Sequence, residues 1–507
     1  MRLKWALAAT VGKALRLSGR GNRSWAMSER GNTGPKPSTF VYAYCHGFLS
    51  GPSSFKGTEL KRRMAEAGVD LHLLNLNGGD DPGGISYSGA INAVKSFYID
   101  EQRRLGTEIR LRLIGSSLGG YVVARYAELY PAEVDRIFML CPGFNLASRW
   151  PALFGDENMR KWERDGQRAF PLPGGDGRQA IIPWTFVQDG LSQPAFPAYT
   201  CPALVIHGLG DDTVPAETTR HLVEEILPQA KLTAAVFVQD DHALTKAETL
   251  RLTAKNIFEF FDLGLERGKR AEAAGRAEME QEDVEVERKF VADRLGKLKD
   301  KIGRCGGNLV GEHIFTDVYW DGPSCCLTER NWWLRSRSGC WELKLRSPPH
   351  SGHGVAAYKE ITRCKDILKA LHDEDFLPPG RDPSLYTLEA PMSLESVLEE
   401  GHFSPFAQYR TNRLKYRLGD MTIDIDKASY GYEVVEVEAM SSANPENIAQ
   451  AREQVLLLAQ SLGIPGAGAQ GGDQPVRGKL EEYIFRFRLP QFQVLERHGI
   501  FDRRKAN

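Results

Sequence analysis

The sequence predicts an α/β domain with a doubly wound parallel sheet, followed by an α+β domain built on an antiparallel β-barrel. Three observations lead to this fold class. Residues 39–262 alternate short apolar runs with amphipathic stretches, whereas beyond residue 284 strand-like segments carry charged side chains at every second position. A charged, alanine-rich segment at 264–283 separates the two patterns. Such a change of pattern in a chain of 507 residues indicates a domain boundary.

The composition excludes several classes of protein. Hydrophobic residues make up 42% of the chain and charged residues 26%, which predicts a packed globular protein instead of a disordered one. The net charge of −1 argues against a general binder of nucleic acids or membrane surfaces. No apolar run approaches the roughly 20 residues that a membrane-spanning helix needs. The eight cysteines form no C-x-x-C pair, so we expect a reducing compartment and no cysteine metal site.

The two ends of the chain differ from the rest. Residues 1–28 contain six Arg or Lys residues and no acid. This composition resembles that of an organelle transit peptide, so we expect residues 1–36 to direct import into a mitochondrion or a plastid. A disordered basic tail on a cytoplasmic protein is the alternative. Residues 497–507 are predicted to be a short C-terminal tail.

Residues 37–263 have the alternation that defines the first domain. Apolar runs of about four to eight residues bounded by turns are typical of buried strands. Strands that alternate with amphipathic helices favour a parallel sheet with helices on both faces. The predicted strands are FVYAYCHGF, RLRLIGSS, RIFMLCPGF, ALVIHG and TAAVFVQ, and the predicted helices are TELKRRMAEAG, GGYVVARYAELY and ETTRHLVEEIL.

A serine lies at the turn between the second of these strands and the following helix. Residues 115–119 read Gly-Ser-Ser-Leu-Gly, which is a G-x-S-x-G motif. Between a strand and a helix, this motif forms a sharp turn that leaves the central hydroxyl, here that of Ser117, exposed. Because a serine hydroxyl is a weak nucleophile at neutral pH, it requires a neighbouring base.

Partners for Ser117 follow in the chain order that such sites require, first an acid and then a histidine. Asp211 follows the fourth predicted strand, and His242 follows the fifth. Asp212 is the rival acid, but Asp211 fits the spacing H-G-x-x-D-x-x-V-P better.

An oxyanion hole is also needed, and backbone N–H groups usually supply it. The segment CHGF ends the first strand, so the N–H groups of Phe48 and Leu118 are the candidates. Asp240 and Asp241, beside His242, are expected to be exposed loop residues.

These four elements, each at the end of a strand, resemble the α/β-hydrolase superfamily, and most of all small bacterial esterases with HGF and GSSLGG segments. The resemblance covers roughly residues 40–262 and implies a serine hydrolase acting on a carboxylic ester or thioester. Residues 147–195 are too long and too polar for a simple crossover, so we expect a lid there. The alternative is an inactive scaffold in which the elbow survives only as a turn.

Residues 284–496 repeat a second pattern. Six strand-like segments carry ionisable side chains at positions i and i+2, often with apolar residues between them. Since such positions share one face of a strand, each segment has a charged face and a buried face. A single pair is usually a solvated surface, but six pairs that mix acids with Arg and Lys predict a closed barrel with a charged lumen.

The charges in this lumen predict its ligand. Arg and Lys bind phosphate oxygens, and carboxylates hold Mg²⁺ that bridges phosphates. A lumen with both groups therefore suits a magnesium polyphosphate. The chain has no P-loop motif, so it is not a nucleotide-binding fold of that kind.

Glu285-x-Glu287-x-Lys289 resembles the E-x-E-x-K signature of the CYTH superfamily, the triphosphate tunnel metalloenzymes. Longer segments are similar to the thiamine triphosphatases of animals, and the resemblance covers nearly all of residues 284–496. It implies an antiparallel barrel that hydrolyses a triphosphate with Mg²⁺, or with Mn²⁺ in its place. The similar segments are TDVYWD, WWLRSRSGCWELK, YKEIT, TIDIDKASYGYEVVEVEAM and KLEEYIFRFR.

The resemblance also implies a role for individual residues. The metal side would consist of Glu285, Glu287, Asp424, Glu436 and Glu438, with Glu360 as a further candidate. The phosphate side would consist of Lys289, Arg335, Arg337, Lys344, Arg413, Lys415 and Lys479, with Arg410 as an alternative to Arg413 or Lys415. Trp333 would lie under a thiazolium ring through a cation–π contact, whereas Trp332 is expected to pack on the outer surface.

The sequence thus predicts a bifunctional enzyme, a serine esterase or thioesterase fused to a Mg²⁺-dependent triphosphatase that acts on small-molecule ester and triphosphate substrates. The preference between thiamine triphosphate and inorganic tripolyphosphate stays open. One alternative is an inorganic tripolyphosphatase with an inactive hydrolase scaffold. Another is a polyphosphate- or nucleotide-binding sensor without turnover.

Overall fold

The structure is a computed structural model that describes residues 39–79, 81–172, 177–226, 232–263, 283–291, 295–346, 358–377, 394–442, 444–464 and 476–500. The predicted transit peptide at 1–36 and residues 264–282 of the predicted linker lie outside these ranges, as do the last residues of the predicted tail. Within the described ranges, none of the helices has the length and apolar character that crossing a membrane requires.

The N-terminal half is built on a parallel sheet, as predicted. Its strands are hydrogen-bonded in the order β2-β1-β3-β4-β7-β8, and every pair in this order is parallel. A separate antiparallel hairpin joins β5 to β6. The strands are β1 (Thr39–Cys45), β2 (Leu71–Leu74), β3 (Ile109–Ser116), β4 (Val134–Leu140), β5 (Gln167–Pro171), β6 (Gln179–Pro183), β7 (Ala203–Gly208) and β8 (Thr233–Val238).

Helices cover both faces of this sheet, because successive side chains of the central strands point to opposite sides. Leu113 of β3 belongs to one hydrophobic cluster and its neighbour Ile114 to the other, and both are fully buried. The helices are α1 (Phe55–Glu66), α2 (Tyr87–Leu105), α3 (Leu118–Leu129), α4 (Trp150–Phe154), α5 (Asp156–Asp165), α6 (Thr185–Ser192), α7 (Ala216–His221) and α8 (Ala247–Phe260).

The C-terminal half is antiparallel. Its strands are paired in the order β13-β12-β11-β10-β14-β15-β16-β9, and among the described residues the two end strands are not paired with each other. The strands are β9 (Asp283–Val291), β10 (Asn308–Asp321), β11 (Trp333–Arg337), β12 (Cys340–Arg346), β13 (Tyr358–Ile361), β14 (Ser404–Leu418), β15 (Met421–Ala428) and β16 (Tyr432–Ser442). The helices are α9 (Leu295–Arg304), α10 (Cys326–Glu329), α11 (Cys364–Asp373), α12 (Leu394–Glu400), α13 (Pro445–Ser461), α14 (Lys479–Phe487) and α15 (Leu489–Arg497).

In this half, apolar and charged side chains alternate along the strands, as predicted, so they lie on opposite faces of the sheet. On β15, Ile423 and Ile425 are buried in a cluster that also contains Val455 of α13. Asp424 and Asp426 alternate with them and therefore point to the opposite face of the sheet. We call that opposite side, on which the charges of the eight strands gather, the charged face.

The two halves share one sheet, which the sequence did not predict. Strand β8 at the edge of the parallel sheet pairs antiparallel with β10, with Phe237 opposite Glu312 and Val236 opposite His313. Arg220 lies in α7, and its guanidinium forms an ion pair with the Glu312 carboxylate, with Nη1 and Oε1 2.8 Å apart. Asn412 of β14 donates a second hydrogen bond to the same carboxylate over 2.7 Å. The pairing with β10 covers the edge that β8 would otherwise expose, and it occupies the part of β10 that β11 does not pair with.

Replacing Glu312 with glutamine is therefore expected to weaken the join. The Arg220 and Glu312 side chains are only 27% and 14% exposed, so loss of the carboxylate leaves a largely buried guanidinium without its counter-charge. We expect the free energy of unfolding to fall by about 1–3 kcal/mol. Urea denaturation followed by tryptophan fluorescence measures this.

The control for this variant is Glu259→Gln. Glu259 pairs with Lys255 at 3.6 Å, but both side chains are mostly exposed, so no measurable change is expected. Equal stability of the Glu312 and Glu259 variants would show that the ion pair does not hold the two halves together.

Candidate active sites

The turn at Ser117 has the geometry of a nucleophile elbow. Strand β3 ends at Ser116 and α3 begins at Leu118, and Ser117 between them has φ 55° and ψ −119°. A non-glycine residue rarely adopts a positive φ, and such strain is typical of this motif. The turn is also tightly packed, because a Cβ atom at Gly119 would lie 2.1 Å from the carbonyl oxygen of Cys45. Glycine is therefore required at position 119.

The structure brings Ser117, His242 and Asp211 together from three separate loops. His242 Nε2 lies 3.0 Å from Ser117 Oγ, and His242 Nδ1 lies 2.6 Å from Asp211 Oδ2. The other oxygen, Asp211 Oδ1, accepts the backbone N–H groups of Thr213 and Val214 over 3.0 and 2.8 Å. This relay is the arrangement in which histidine removes the serine proton and the carboxylate orients the histidine.

The Asp211 carboxylate is held in its charged form. Burial alone would raise its pKa, but hydrogen bonds from His207 and His242 hold the pKa well below its ordinary value. His207 is fully buried, with Nε2 3.2 Å from Asp211 Oδ2 and 2.7 Å from the Val214 carbonyl oxygen. His207 had no predicted role. Its signal was the histidine four residues before Asp211 in HGLGDD.

The candidate oxyanion groups lie beside the nucleophile. A Cβ atom at Gly47 would lie 3.2 Å from Ser117 Cβ and 3.8 Å from Ser117 Oγ, so the loop that contains Phe48 passes directly next to Ser117. Leu118 is the first residue of α3, where a backbone N–H has no acceptor within the helix. Neutral His46 steadies this loop, because its Nε2 accepts the Leu76 N–H over 3.0 Å and burial lowers its pKa.

Aromatic side chains of the predicted lid cover this loop. The segment between β4 and β7 contains α4, α5, the β5–β6 hairpin and α6, and it corresponds to the lid expected at 147–195. The Phe48 ring stacks on Phe186 of α6 with 4.9 Å between ring centroids. Phe170 and Trp150 approach the same ring at 5.6 and 5.7 Å. The nucleophile is therefore next to an apolar, aromatic wall.

The acidic residues next to Asp211 and His242 differ in their exposure. Asp212 is exposed, in agreement with the choice of Asp211 as the acid. The expectation of an exposed Asp240 is wrong, because this side chain is only 5% exposed. Its carboxylate accepts the backbone N–H groups of Asp241 and Lys246, which shapes the turn that carries His242.

Cys141 also lies beside the triad. Atoms of Cys141, Asp211 and His242 that could bind a metal lie within 4.8 Å of one another. Burial raises the pKa of the Cys141 thiol far above its ordinary value, and both other residues already take part in the relay. We therefore assign this group to the triad, with Cys141 as a neutral neighbour.

In the C-terminal half, most predicted site residues lie on the charged face. Glu436 is opposite Lys289 of β9 on one side and opposite Asp424 of β15 on the other. Atoms of Glu287, Glu436 and Glu438 that could bind a metal lie within 4.8 Å of one another. The Glu285 side chain lies outside the described part of the structure. Glu360 is not part of this cluster, because it pairs with Lys344 on β12.

The cluster fits a hard divalent cation. Carboxylate oxygens are the ligands that Mg²⁺ and Mn²⁺ prefer. Asp424, next to the cluster, is fully buried, and its Oδ1 has no hydrogen-bond partner among the described residues. Burial raises the pKa of Asp424, and the nearby Arg413 and Lys415 only partly oppose this. A buried carboxylate oxygen without a partner is the group that a cation would satisfy.

Each predicted cation of the charged face is paired with a carboxylate. Three of these carboxylates, Asp317, Glu342 and Asp426, were not assigned a role from the sequence. The pairs are Arg335 with Glu342 (2.7 Å), Arg337 with Asp317 (2.6 Å), Lys344 with Glu360 (2.5 Å), Lys415 with Asp424 (3.2 Å), Arg413 with Asp426 (2.7 Å) and Glu436 (2.8 Å), Lys479 with Glu436 (3.3 Å) and Asp426, and Lys289 with Glu287. Arg410 instead donates to the Glu224 carbonyl oxygen in the N-terminal half, so it is not part of this set.

The two neighbouring tryptophans lie on opposite faces of the strand. Trp333 is at spacing two from Arg335 and so shares the charged face, where it packs against an aromatic cluster that includes Tyr319 and Tyr483. Its Nε1 donates to Asn331 Oδ1 over 2.8 Å. Trp332 packs on Phe376 in the outer cluster, with ring centroids 5.8 Å apart, as expected.

Comparison with known families agrees with both predicted resemblances. A profile described as CYTH domain matches residues 283–469. The C-terminal half carries a CYTH domain. A second profile, described as an uncharacterised protein family (UPF0227), matches residues 41–169. The parallel sheet, the elbow and the chain order of the triad are those of the predicted α/β-hydrolase fold.

Individual relatives match one half of the chain each. The human protein named thiamine-triphosphatase is 29% identical over 225 residues, which cover 42% of this chain and 89% of that protein. A protein of Xenopus laevis named monoacylglycerol lipase abhd6-B is 22% identical over 213 residues, which cover 42% of this chain and 59% of that protein.

Two solved structures each match less than half of this chain. Mouse alpha/beta hydrolase domain-containing protein 10 has a TM-score of 0.37 and 19% identity, covering 46% of this chain and 96% of that one. The PH1819 protein of Pyrococcus horikoshii has a TM-score of 0.28 and 17% identity, covering 40% of this chain and 99% of that one.

Proposed function

We propose that the protein is a bifunctional hydrolase, with a serine esterase or thioesterase site in the N-terminal half and a Mg²⁺-dependent triphosphatase site in the CYTH domain. The relay of Ser117, His242 and Asp211 carries the first part. The carboxylate cluster surrounded by cations on the charged face carries the second. Labelling of Ser117 by a fluorophosphonate tests the first site, and phosphate release with and without Mg²⁺ tests the second.

The ester reaction follows from the triad. His242 Nε2 accepts the proton of Ser117 as its Oγ forms a bond to the carbonyl carbon, and the N–H groups of Phe48 and Leu118 stabilise the oxyanion. His242 then protonates the leaving alcohol or thiol, and an acyl group remains on Ser117. Water, deprotonated by the same nitrogen, releases the acid and restores Ser117. The aromatic wall around Phe48 favours an apolar group on the substrate.

In the CYTH domain, Glu287, Glu436, Glu438 and Asp424 would hold the metal, with Glu285 as a further candidate. Bound Mg²⁺ would neutralise charge on the phosphates. The guanidinium groups of Arg335, Arg337 and Arg413 offer paired N–H donors for phosphate oxygens, and Lys289, Lys344, Lys415 and Lys479 offer point charges. Because each cation already holds a carboxylate, the binding of a polyphosphate would exchange one anionic partner for another, so no cation would be left without a counter-charge.

We propose thiamine triphosphate as the substrate, with thiamine diphosphate and phosphate as products, and Trp333 as the residue that binds the thiazolium ring. Trp333→Ala should lower kcat/KM for thiamine triphosphate by about 2- to 30-fold, since a cation–π contact contributes roughly 0.5–2 kcal/mol. Hydrolysis of inorganic tripolyphosphate, which has no ring, should hardly change. Steady-state phosphate release with both substrates measures the ratio.

Trp332→Ala is the matched control, because Trp332 lies on the opposite face. It should reduce stability through lost packing on Phe376 without changing the ratio of the two substrates. An equal loss for both substrates in Trp333→Ala would make Trp333 a packing residue. Inorganic tripolyphosphate would then be the substrate that the charged face supports best.

Residues 1–36 are proposed to direct the protein to a mitochondrion or plastid, on the basis of their basic, acid-free composition.

A further inference from the structure

Besides Asp424 Oδ1, further polar atoms of the charged face lack a hydrogen-bond partner within the described part of the chain. Among the described residues, His313 Nε2 and Thr411 Oγ1 are shielded from solvent and make no hydrogen bond. A buried donor or acceptor that stays unpaired costs free energy, so such atoms are rare and require an explanation. Neither residue belongs to the sets of cations and carboxylates described above.

Both residues lie where a triphosphate would bind. In the register of β10 and β14, His313 is opposite Arg413 and Phe315 is opposite Thr411, so His313 and Thr411 are diagonal neighbours on one face. That face is the charged one, because His313 is at even spacing from Asp317 on β10 and Thr411 is at even spacing from Arg413 on β14. Phe315 is a neighbour of both residues in this register. The Arg337 guanidinium stacks on the Phe315 ring, 3.9 Å from the ring centroid.

The imidazole of His313 is neutral in the free protein. Burial, together with the positive charges of Lys415, Arg413 and Arg337, lowers the pKa of His313 to about 3, although Asp426 acts in the opposite sense. A neutral imidazole carries one N–H group, which can lie on Nε2. The cations around His313 each donate to a carboxylate, whereas His313 Nε2 has no hydrogen-bond partner among the residues that the structure describes.

We propose that His313 is a further substrate-contacting residue of the triphosphate site, in which its Nε2–H donates to a non-bridging phosphate oxygen and Thr411 Oγ1 donates beside it. This inference rests on the proposed function of the CYTH domain and deepens it. A donor that is unpaired before binding gives up no partner when phosphate arrives, so its hydrogen bond adds directly to affinity. The surrounding cations must first loosen their carboxylates.

The position of His313 explains why the charge pattern did not reveal it. On its other side β10 pairs with β8, where Val236 is opposite His313. This part of the charged face therefore borders the N-terminal half. The residue at spacing two from His313 is the uncharged Phe315, so no pair of charged residues marks this position in the sequence.

The test compares His313→Leu, which removes the donor, with His313→Gln, which keeps a neutral N–H donor at similar reach. Inorganic tripolyphosphate with Mg²⁺ is the probe, in the full chain. For His313→Leu we expect KM to rise about 10- to 100-fold, as for loss of a hydrogen bond to a charged group, with kcat changed much less. His313→Gln should stay within about fivefold of wild-type KM, and Thr411→Val should raise KM in the same direction as His313→Leu.

Thermal unfolding separates this role from a structural one. Replacing an unpaired buried nitrogen with an apolar group should leave the Tm of the free protein unchanged or higher, whereas the rise in Tm caused by tripolyphosphate should shrink. A wild-type KM together with a lowered Tm in His313→Leu would overturn the inference, since the imidazole would then hold a structural water. Equal KM values in the Leu and Gln variants would also overturn it. If the wild-type protein neither binds nor hydrolyses tripolyphosphate, the proposed function itself fails.

Discussion

Replacing Ser117 with alanine is expected to lower kcat/KM for a short p-nitrophenyl ester by about 10⁴-fold or more, because no other group can form the acyl intermediate. Phosphate release from thiamine triphosphate should be unchanged, since Ser117 lies at the C-terminal end of β3 in the other half of the chain. Ester hydrolysis followed by absorbance, and phosphate release in the same preparation, measure both effects. Unchanged ester hydrolysis in this variant would refute the assignment of the nucleophile.

Two matched pairs make the result specific. Ser116→Ala changes the neighbouring serine of the same motif, which is buried and whose side chain is a hydrogen-bond partner of Tyr44, and should retain most ester hydrolysis. Asp211→Asn should lower kcat by about 10⁴-fold, since the amide favours the wrong tautomer of His242. Asp212→Asn, at the exposed neighbour, should remain close to wild type. Similar losses in the two aspartate variants would contradict the relay.

Replacing Glu287 with glutamine is expected to lower the rate of phosphate release by about 100-fold, as for loss of one metal ligand. The Glu287 side chain is 42% exposed, so the fold should tolerate the change. The variant should also need a higher Mg²⁺ concentration for half-maximal rate, whereas tripolyphosphate should still bind through the Arg and Lys side chains. Titration of the rate with Mg²⁺, and removal of metal with EDTA, measure this dependence.

Glu433→Gln is the control for this variant. Glu433 lies on β16 at odd spacing from Glu436 and pairs with Lys427 away from the charged face. It should retain the wild-type rate and Mg²⁺ dependence. If Glu433→Gln and Glu287→Gln lose the same activity, or if EDTA leaves the wild-type rate unchanged, the carboxylate cluster does not hold a required metal.

Sequence motifs and the spacing of polar and apolar residues predicted the triad and the charged faces of the C-terminal strands. The order of Ser117, Asp211 and His242 along the chain was informative, because the carboxyl ends of parallel strands meet at one edge of a sheet. Alternation predicted which residues of β15 and β16 share the charged face, since the period of a strand is fixed. Each of these features combines a local motif or period with a general rule of strand geometry.

Other features depend on which distant segment packs against a given strand or loop. The alternation of polar and apolar residues along one strand does not specify that. The pairing of β8 with β10, and the ion pair between Arg220 and Glu312, join segments that are far apart in the chain. The burial of Asp240 follows from the packing of one particular loop, although an aspartate in a polar segment usually indicates exposure. His207 is important only because the chain folds it back onto Asp211.

The presence of two independent active sites is tested by measuring both reactions on the same variants of the full chain. Ester hydrolysis and Mg²⁺-dependent phosphate release from thiamine triphosphate, tripolyphosphate and ATP are measured for the wild-type protein, Ser117→Ala and Glu287→Gln. We expect that the wild-type protein performs both reactions, that Ser117→Ala loses only ester hydrolysis, and that Glu287→Gln loses only phosphate release. Absence of Mg²⁺-dependent phosphate release in the wild-type protein, or loss of both reactions in either variant, would contradict two independent active sites in one chain.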